Sequence, residues 1–147
     1  MYEKDYILRM IEMLGDLLRA IFGMITRGDI QQASRKLDEA FYTMLRKDAG
    51  FFQRIPPEEM TQILIEDHNY TNNHLVILAE LLFAEAELEL ARGNRPGSRI
   101  SFRKSLLLFE FVYQAERTYS KDRLDRMDEI RKRLEESTNE GKETFSD

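Results

Sequence analysis

The chain contains no cysteine, which excludes a disulfide framework and any zinc-thiolate site and leaves the redox compartment open. With only 3 Pro and 7 Gly in 147 residues, little interrupts helix formation, and no segment alternates polar and apolar residues as a half-buried strand does. No apolar run reaches the roughly 18 residues of a membrane span; the most apolar segment, 10–25, is broken by Glu12, Asp16 and Arg19. The N-terminus, MYEKDYILRMIEM, carries charges and has no small-residue cleavage site behind an apolar core, so no signal peptide is read and the cytoplasm is the expected setting. Positive charge is also short. Lys and Arg number 22 against 27 Asp and Glu, a net charge of −5, which disfavours bulk attraction to nucleic acid or anionic membrane.

What is present is helical periodicity. From Tyr6 to Ile25 the only charges are Arg9, Glu12, Asp16 and Arg19; at about 100° per residue they form one narrow stripe, so this helix is expected to be central or to lend a side to a second subunit. Gly15 and Gly23 are placed for close backbone approach. Arg27-Gly28-Asp29 spells an adhesion tripeptide, yet Gly28 follows the last apolar residue as a helix C-terminal glycine does, and Asp29 stands as N-cap of the next helix, whose apolar row is Ile30, Ala33, Leu37, Ala40, Phe41 and Met44. The triplet reads as a stop and a start. Helix 2 is expected to end near Asp48, ahead of a short helix from Pro57 to Glu66 and a polar loop, DHNYTNN, at 67–73. Asn72 or Asn73 caps a third helix over 75–92, NRPGS turns into a fourth over 98–119, and Ser120 caps a fifth bearing Leu124, Met127, Ile130 and Leu134. The expected architecture is all-α, five main helices plus one short connecting helix, in a single domain over 1–136. The ending STNEGKETFSD, 137–147, is expected to be a disordered tail.

Placing Gly28 over Gly93 sets small Ala33 over Ser98, large Leu37 over Phe102, small Ala40 over Ser105 and Phe41 over Leu106, a helical hairpin used twice at a spacing of about 65 residues. This pattern resembles the tetratricopeptide repeat, in which turn, small and bulky positions lock two antiparallel helices. The first helix of each hairpin departs from the family, whose aromatic and small positions fall on Leu17, Ile21 and Met24, then on Leu82, Ala86 and Glu89. The spacing also exceeds the family's period of roughly 34 residues, so the likeness is tetratricopeptide-like rather than a true array. Taken whole, the chain also looks like a family of small bacterial proteins of unknown function that open with a segment similar to YEKDYILRMIEML. That resemblance implies a bacterial cytoplasmic protein and supplies no activity, cofactor or functional residue.

Chemistry-bearing residues are few. His68 and His74 are the only imidazoles, near Glu66, Asp67 and Tyr70, in a spacing that matches no one-faced metal motif; they read as loop and cap residues, and neither a metal nor a cofactor is assigned. Glu80, Glu85, Glu87 and Glu89 read as a solvated helix face. Arg95, Arg99 and Arg103 recur every four residues near a helix N-terminus, where cations oppose the macrodipole; Glu85 and Glu89 across the hairpin are the expected offset, and an anionic partner is the alternative. No phosphate-cradling loop or nucleophile elbow occurs. The leading reading is a non-enzymatic module that binds a protein or peptide, in part as a homodimer on helix 1, with Leu18, Phe22, Ile25, Phe83 and Leu90 as the contact set. The rivals are a ligand or enzymatic pocket near Phe51, Phe52, His68 and Tyr70, and an anion or RNA adaptor on the arginine row.

Overall fold

The computed structural model describes the backbone of residues 2–145 and the side chains of residues 5–136, and within that range it is all-helical. The tail expected at 137–147 falls outside the fully described residues. Helix α1 spans Tyr2–Arg27, α2 Ile30–Leu45, α3 Ala49–Gln53, α4 Met60–Gln62, α5 Asn72–Ala91, α6 Arg95–Glu116 and α7 Lys121–Phe145.

The connection between α2 and α5 carries more structure than the sequence suggested. Asp48 caps α3, its carboxylate accepting from the Phe51 amide at 2.8 Å. A 3₁₀ turn at Pro57–Glu59, α4 and a π turn at Ile63–Asp67 then run on as one helical segment. Two other boundaries move for local reasons. Thr71, not Asn72 or Asn73, caps α5 through a reciprocal box with His74. The expected turn NRPGS is instead the first turn of α6, because Asn94 caps it by accepting from the Gly97 amide at 3.1 Å and a proline in the first turn lacks only an amide that has no helical partner anyway.

Helix α5 is the axis of the fold. Its buried residues include Leu75, Ile77, Leu78, Leu81, Phe83 and Ala84, which point in every direction around the helix, and it packs against α6, α1 and α2. Tyr6 at the start of α1 donates its hydroxyl to the Thr43 carbonyl near the end of α2, so these two run antiparallel. The Ser105 hydroxyl on α6 donates to the Ala79 carbonyl at 2.6 Å and Phe102 meets Phe83, which makes α5 and α6 antiparallel as well. Glu80 pairs with Arg126 and Glu87 with Arg133, so α7 runs parallel to α5. The small positions Ala33, Ala40, Ser98 and Ser105 are all buried, as the internal repeat requires of close helix contacts.

The all-round apolar role expected of α1 belongs to α5. On α1 the buried row is Ile7, Met10, Leu14, Leu18 and Ile21, one side only, while Leu8 and Met13 share the wet face with Arg9, Glu12, Asp16 and Arg19. Helices α2 and α5 supply within the chain the cover that had been assigned to a second copy, which leaves the homodimer without the packing argument behind it. Gly15 and Gly23 approach no other helix: a Cβ at either meets only the guanidinium of Arg19 or Arg27.

Gly28 and Gly93 end α1 and α5 at φ 83° and 81°. In each case the next amide reaches back to close the helix, Asp29 to Met24 at 2.8 Å and Asn94 to Glu89 at 2.9 Å. Asp29 takes the N-cap position through its carbonyl, which accepts from Ala33 at 3.0 Å; its carboxylate makes no cap bond and lies 3.6 Å from Arg27 instead. A Cβ at Gly28 meets nothing within 4 Å, so substitution there is penalised by backbone conformation alone. Gly28→Val is expected to destabilise the protein by about 1 kcal/mol more than Gly28→Asn, since Asn tolerates the left-handed region and a β-branched residue does not; equal urea midpoints for the two variants would refute the punctuation reading.

Candidate functional site

A concavity of about 680 Å³ opens where the start of α1, the end of α2 and the loop ahead of α5 converge. Its apolar floor is Ile7, Met44 and Leu45, side chains that helical periodicity turns toward α5. Tyr6, His68, Tyr70 and His74 provide rings around it, and Arg9, Arg46 and Lys47 provide cations; no Asp or Glu lies among the described lining residues.

Each ring is held from behind. Tyr70 donates its hydroxyl to the Leu45 carbonyl at 2.9 Å and stacks on His74 at 4.7 Å between centroids. Burial pushes the Tyr70 phenol up to about 12, so it remains a donor throughout the neutral range. His68 stands edge-on to Phe51 at 5.0 Å. The His74 Nδ1 accepts from the Thr71 amide at 3.0 Å, which places the proton of the neutral ring on Nε2. The Arg46 guanidinium lies 4.8 Å from the Tyr6 ring centre and the Lys47 ammonium 5.2 Å from that of Phe51, contacts that attract a cation to the negative face of a ring. Two cleft residues, Arg46 and Asn69, adopt left-handed backbone at φ 64° and 57°.

Of the residues nominated from sequence, His68 and Tyr70 do line a cleft, while Phe51 supports His68 and Phe52 is wholly buried in the core. Among the described residues no group of three or more His, Asp or Glu is arranged to hold a metal. The arginine row divides: Arg95 and Arg99 border a smaller recess of about 180 Å³ with Arg133, whereas Arg103 is exposed and lies apart from it. Arg99 donates to the Leu134 carbonyl of α7 at 3.2 Å. The apolar contact set divides too. Phe22, Ile25 and Phe83 meet in one recess beside Arg126, whose guanidinium sits 4.1 Å from the Phe83 ring centre; Leu18 is buried between helices, and Leu90 borders the arginine recess. Arg9, Arg46, Lys47 and Tyr6 were not singled out as site residues, because no local pattern reveals that two helix ends and a loop converge on one cleft.

The carboxylate segment of α5 is not a solvated face. Glu80 is 3.1 Å from Arg126 and Glu87 is 3.0 Å from Arg133, both arginines reaching in from α7. Desolvation raises both carboxyls against the pull of those cations. Glu89 pairs with Arg92 and accepts from Asn94 rather than offsetting the arginine row. Glu85 is only 7% exposed and accepts from Gln53 at 2.6 Å. Next to it Lys104, 2% exposed, donates to the Phe52 and Gln53 carbonyls at 3.0 Å each. Burial pushes the Glu85 carboxyl from 4.5 up to about 7, helped by Glu89 and Asp38 and opposed by the Gln53 bond and Arg92.

A carboxyl whose folded pKa lies above its unfolded value binds its proton more tightly in the native state, so it lowers stability as pH rises from about 4.5 to about 7. Glu85→Gln keeps the acceptor for Gln53 and removes the charge. The variant is expected to be more stable than the parent by roughly 1–3 kcal/mol at pH 8 and indistinguishable from it near pH 4. Urea melts of both proteins across that range check this, and parallel profiles would count against it. No protein-family model, curated protein or solved structure matches the chain.

Proposed function

We propose that the chain is a non-enzymatic interaction module that receives a peptide segment of a partner protein in the cleft between α1, α2 and the loop ahead of α5. In this reading α1–α2 and α5–α6 are two tetratricopeptide-like hairpins, with α7 closing the second. The antiparallel pairing within each hairpin and the buried small residues at matched positions support that description. The bacterial cytoplasmic setting belongs to the same proposal and rests on the sequence resemblance.

The observation that carries the proposal is that the cleft is preformed and its groups are pinned without an acid–base pair. Both tyrosine hydroxyls donate to main-chain carbonyls of α2, and His74 is held by the cap of α5. Neither a nucleophile with a base beside it nor a pair of carboxyls with opposed roles faces the cavity among its described lining residues, and those are what acid–base or covalent catalysis needs. Rigid rings, an apolar floor and a few oriented polar groups are what recognition needs.

Selection from a displayed library of random peptides tests this. Enriched peptides are expected to slow amide exchange at 44–47 and 68–74 and to leave α7 unchanged. Failure to enrich any peptide, or a footprint elsewhere, would overturn the proposal.

A further inference from the structure

We propose that the cleft selects an acidic peptide, its carboxylates meeting Arg9, Arg46 and Lys47 while an apolar side chain rests on Met44 and Leu45. This rests on the peptide-binding reading above and adds the chemistry of the partner.

The charge of the cleft runs against that of the chain. The whole carries −5, yet the described lining holds three cations and no carboxylate. Of the nearby acids, Asp48 caps α3 and Glu66 accepts from Gln62, and these, like the exposed Asp5 and Asp67 that flank Tyr6 and His68, are not part of the lining. An acidic segment is therefore attracted locally, whereas a long polyanion meets the net negative charge of the remaining surface.

The donor balance points the same way. The hydroxyl hydrogens of Tyr6 and Tyr70 are committed to the carbonyls of Thr43 and Leu45, and the acceptor nitrogen of His74 is committed to Thr71. What the charged groups of the lining offer a ligand is N–H: two guanidiniums and an ammonium. Such a lining needs a ligand rich in acceptors, and carboxylates accept several bonds each from guanidinium forks.

Preorganisation favours a peptide over a single-stranded nucleic acid. Tyr70 is stacked on His74 and Tyr6 carries Arg46 on a face, so the rings that a base needs as stacking platforms already hold protein groups. The same contacts hold Arg46 and Lys47 over aromatic rings before any ligand arrives, which lessens the ordering cost of an ion pair. The volume, about 680 Å³, lies within the range of about 300–1,000 Å³ typical of ligand clefts.

The test uses labelled peptides on the full chain, read by fluorescence anisotropy: one with Glu and Asp around a central Leu, its Gln and Asn isostere, and a single-stranded oligonucleotide. The acidic peptide is expected to bind at least about tenfold more tightly than its isostere, with the advantage shrinking as salt rises. Arg46→Gly removes the guanidinium at a position where φ is 64°, a geometry glycine adopts freely, so the fold is retained and a urea melt verifies it. Arg46→Gly and Lys47→Gln are each expected to weaken the acidic peptide by about tenfold and to leave the isostere unchanged. Arg103→Gln, an equal loss of charge on exposed α6 surface, is expected to change nothing. Equal affinity for the acidic peptide and its isostere, an equal loss on Arg103→Gln, or tighter binding of the oligonucleotide would overturn the inference. Library selection separates the two levels: enriched peptides without acidic residues refute the charge preference and keep the peptide reading, while no enrichment refutes both.

Discussion

Burial of α5 on all sides is the constraint from which the rest of the structure follows. A helix with Leu75, Ile77, Leu78, Leu81, Phe83 and Leu88 distributed around its circumference has no wet face to offer, and each such side chain left in water forgoes roughly 1.5–3 kcal/mol. Helices α1, α2 and α6 therefore gather on it. The carboxylates it carries need partners because an unpaired buried charge is costly. Arg126 and Arg133 meet Glu80 and Glu87 about two turns apart from the parallel helix α7, and Gln53 meets Glu85 from α3. Polar α7 and short α3 thus cover α5 with these polar contacts in addition to the core side chains Met127 and Ile130 of α7 and Phe52 of α3.

The same axis sets up the cleft. The N-terminus of α5 is closed by the Thr71–His74 box, which turns the His74 ring against Tyr70 and fixes the loop through the Tyr70 bond to the end of α2. That bond joins the two halves of the chain at the point where α2 leaves the core. The cleft is the space that remains between this junction and the start of α1. Two of its three cations lie there because Arg46 and Lys47 directly follow α2, one with its guanidinium over Tyr6 and the other with its ammonium over Phe51, and the third, Arg9, comes from α1.

A second polar junction lies on another flank of α5. Lys104 from α6 holds the last carbonyls of α3 while Gln53 holds Glu85. Desolvation lowers the pKa of the buried lysine and raises that of the buried acid, with Glu85 partly restoring the lysine. Three helices are bound by groups whose charged forms are each disfavoured by their surroundings, and the hydrogen bonds to main chain and amide are what make the junction tolerable.

The sequence by itself determined the elements that depend on neighbours along the chain. Gly28 and Gly93 stop helices because only residues permissive of positive φ close a helix in that manner, and Ala33, Leu37, Ser98 and Phe102 are buried as their periodicity requires. The all-α class follows from the same local rules. Which apolar helix became the axis was decided only in three dimensions. The segment 10–25 read as the most apolar and the acids of 75–91 as a solvated face, whereas in the fold Arg126 and Arg133 cover Glu80 and Glu87 and it is Glu12 and Asp16 that stay in water. The cleft was decided there too, since Arg9, Arg46 and His74 come from three separate elements and no periodicity within one element encodes their meeting.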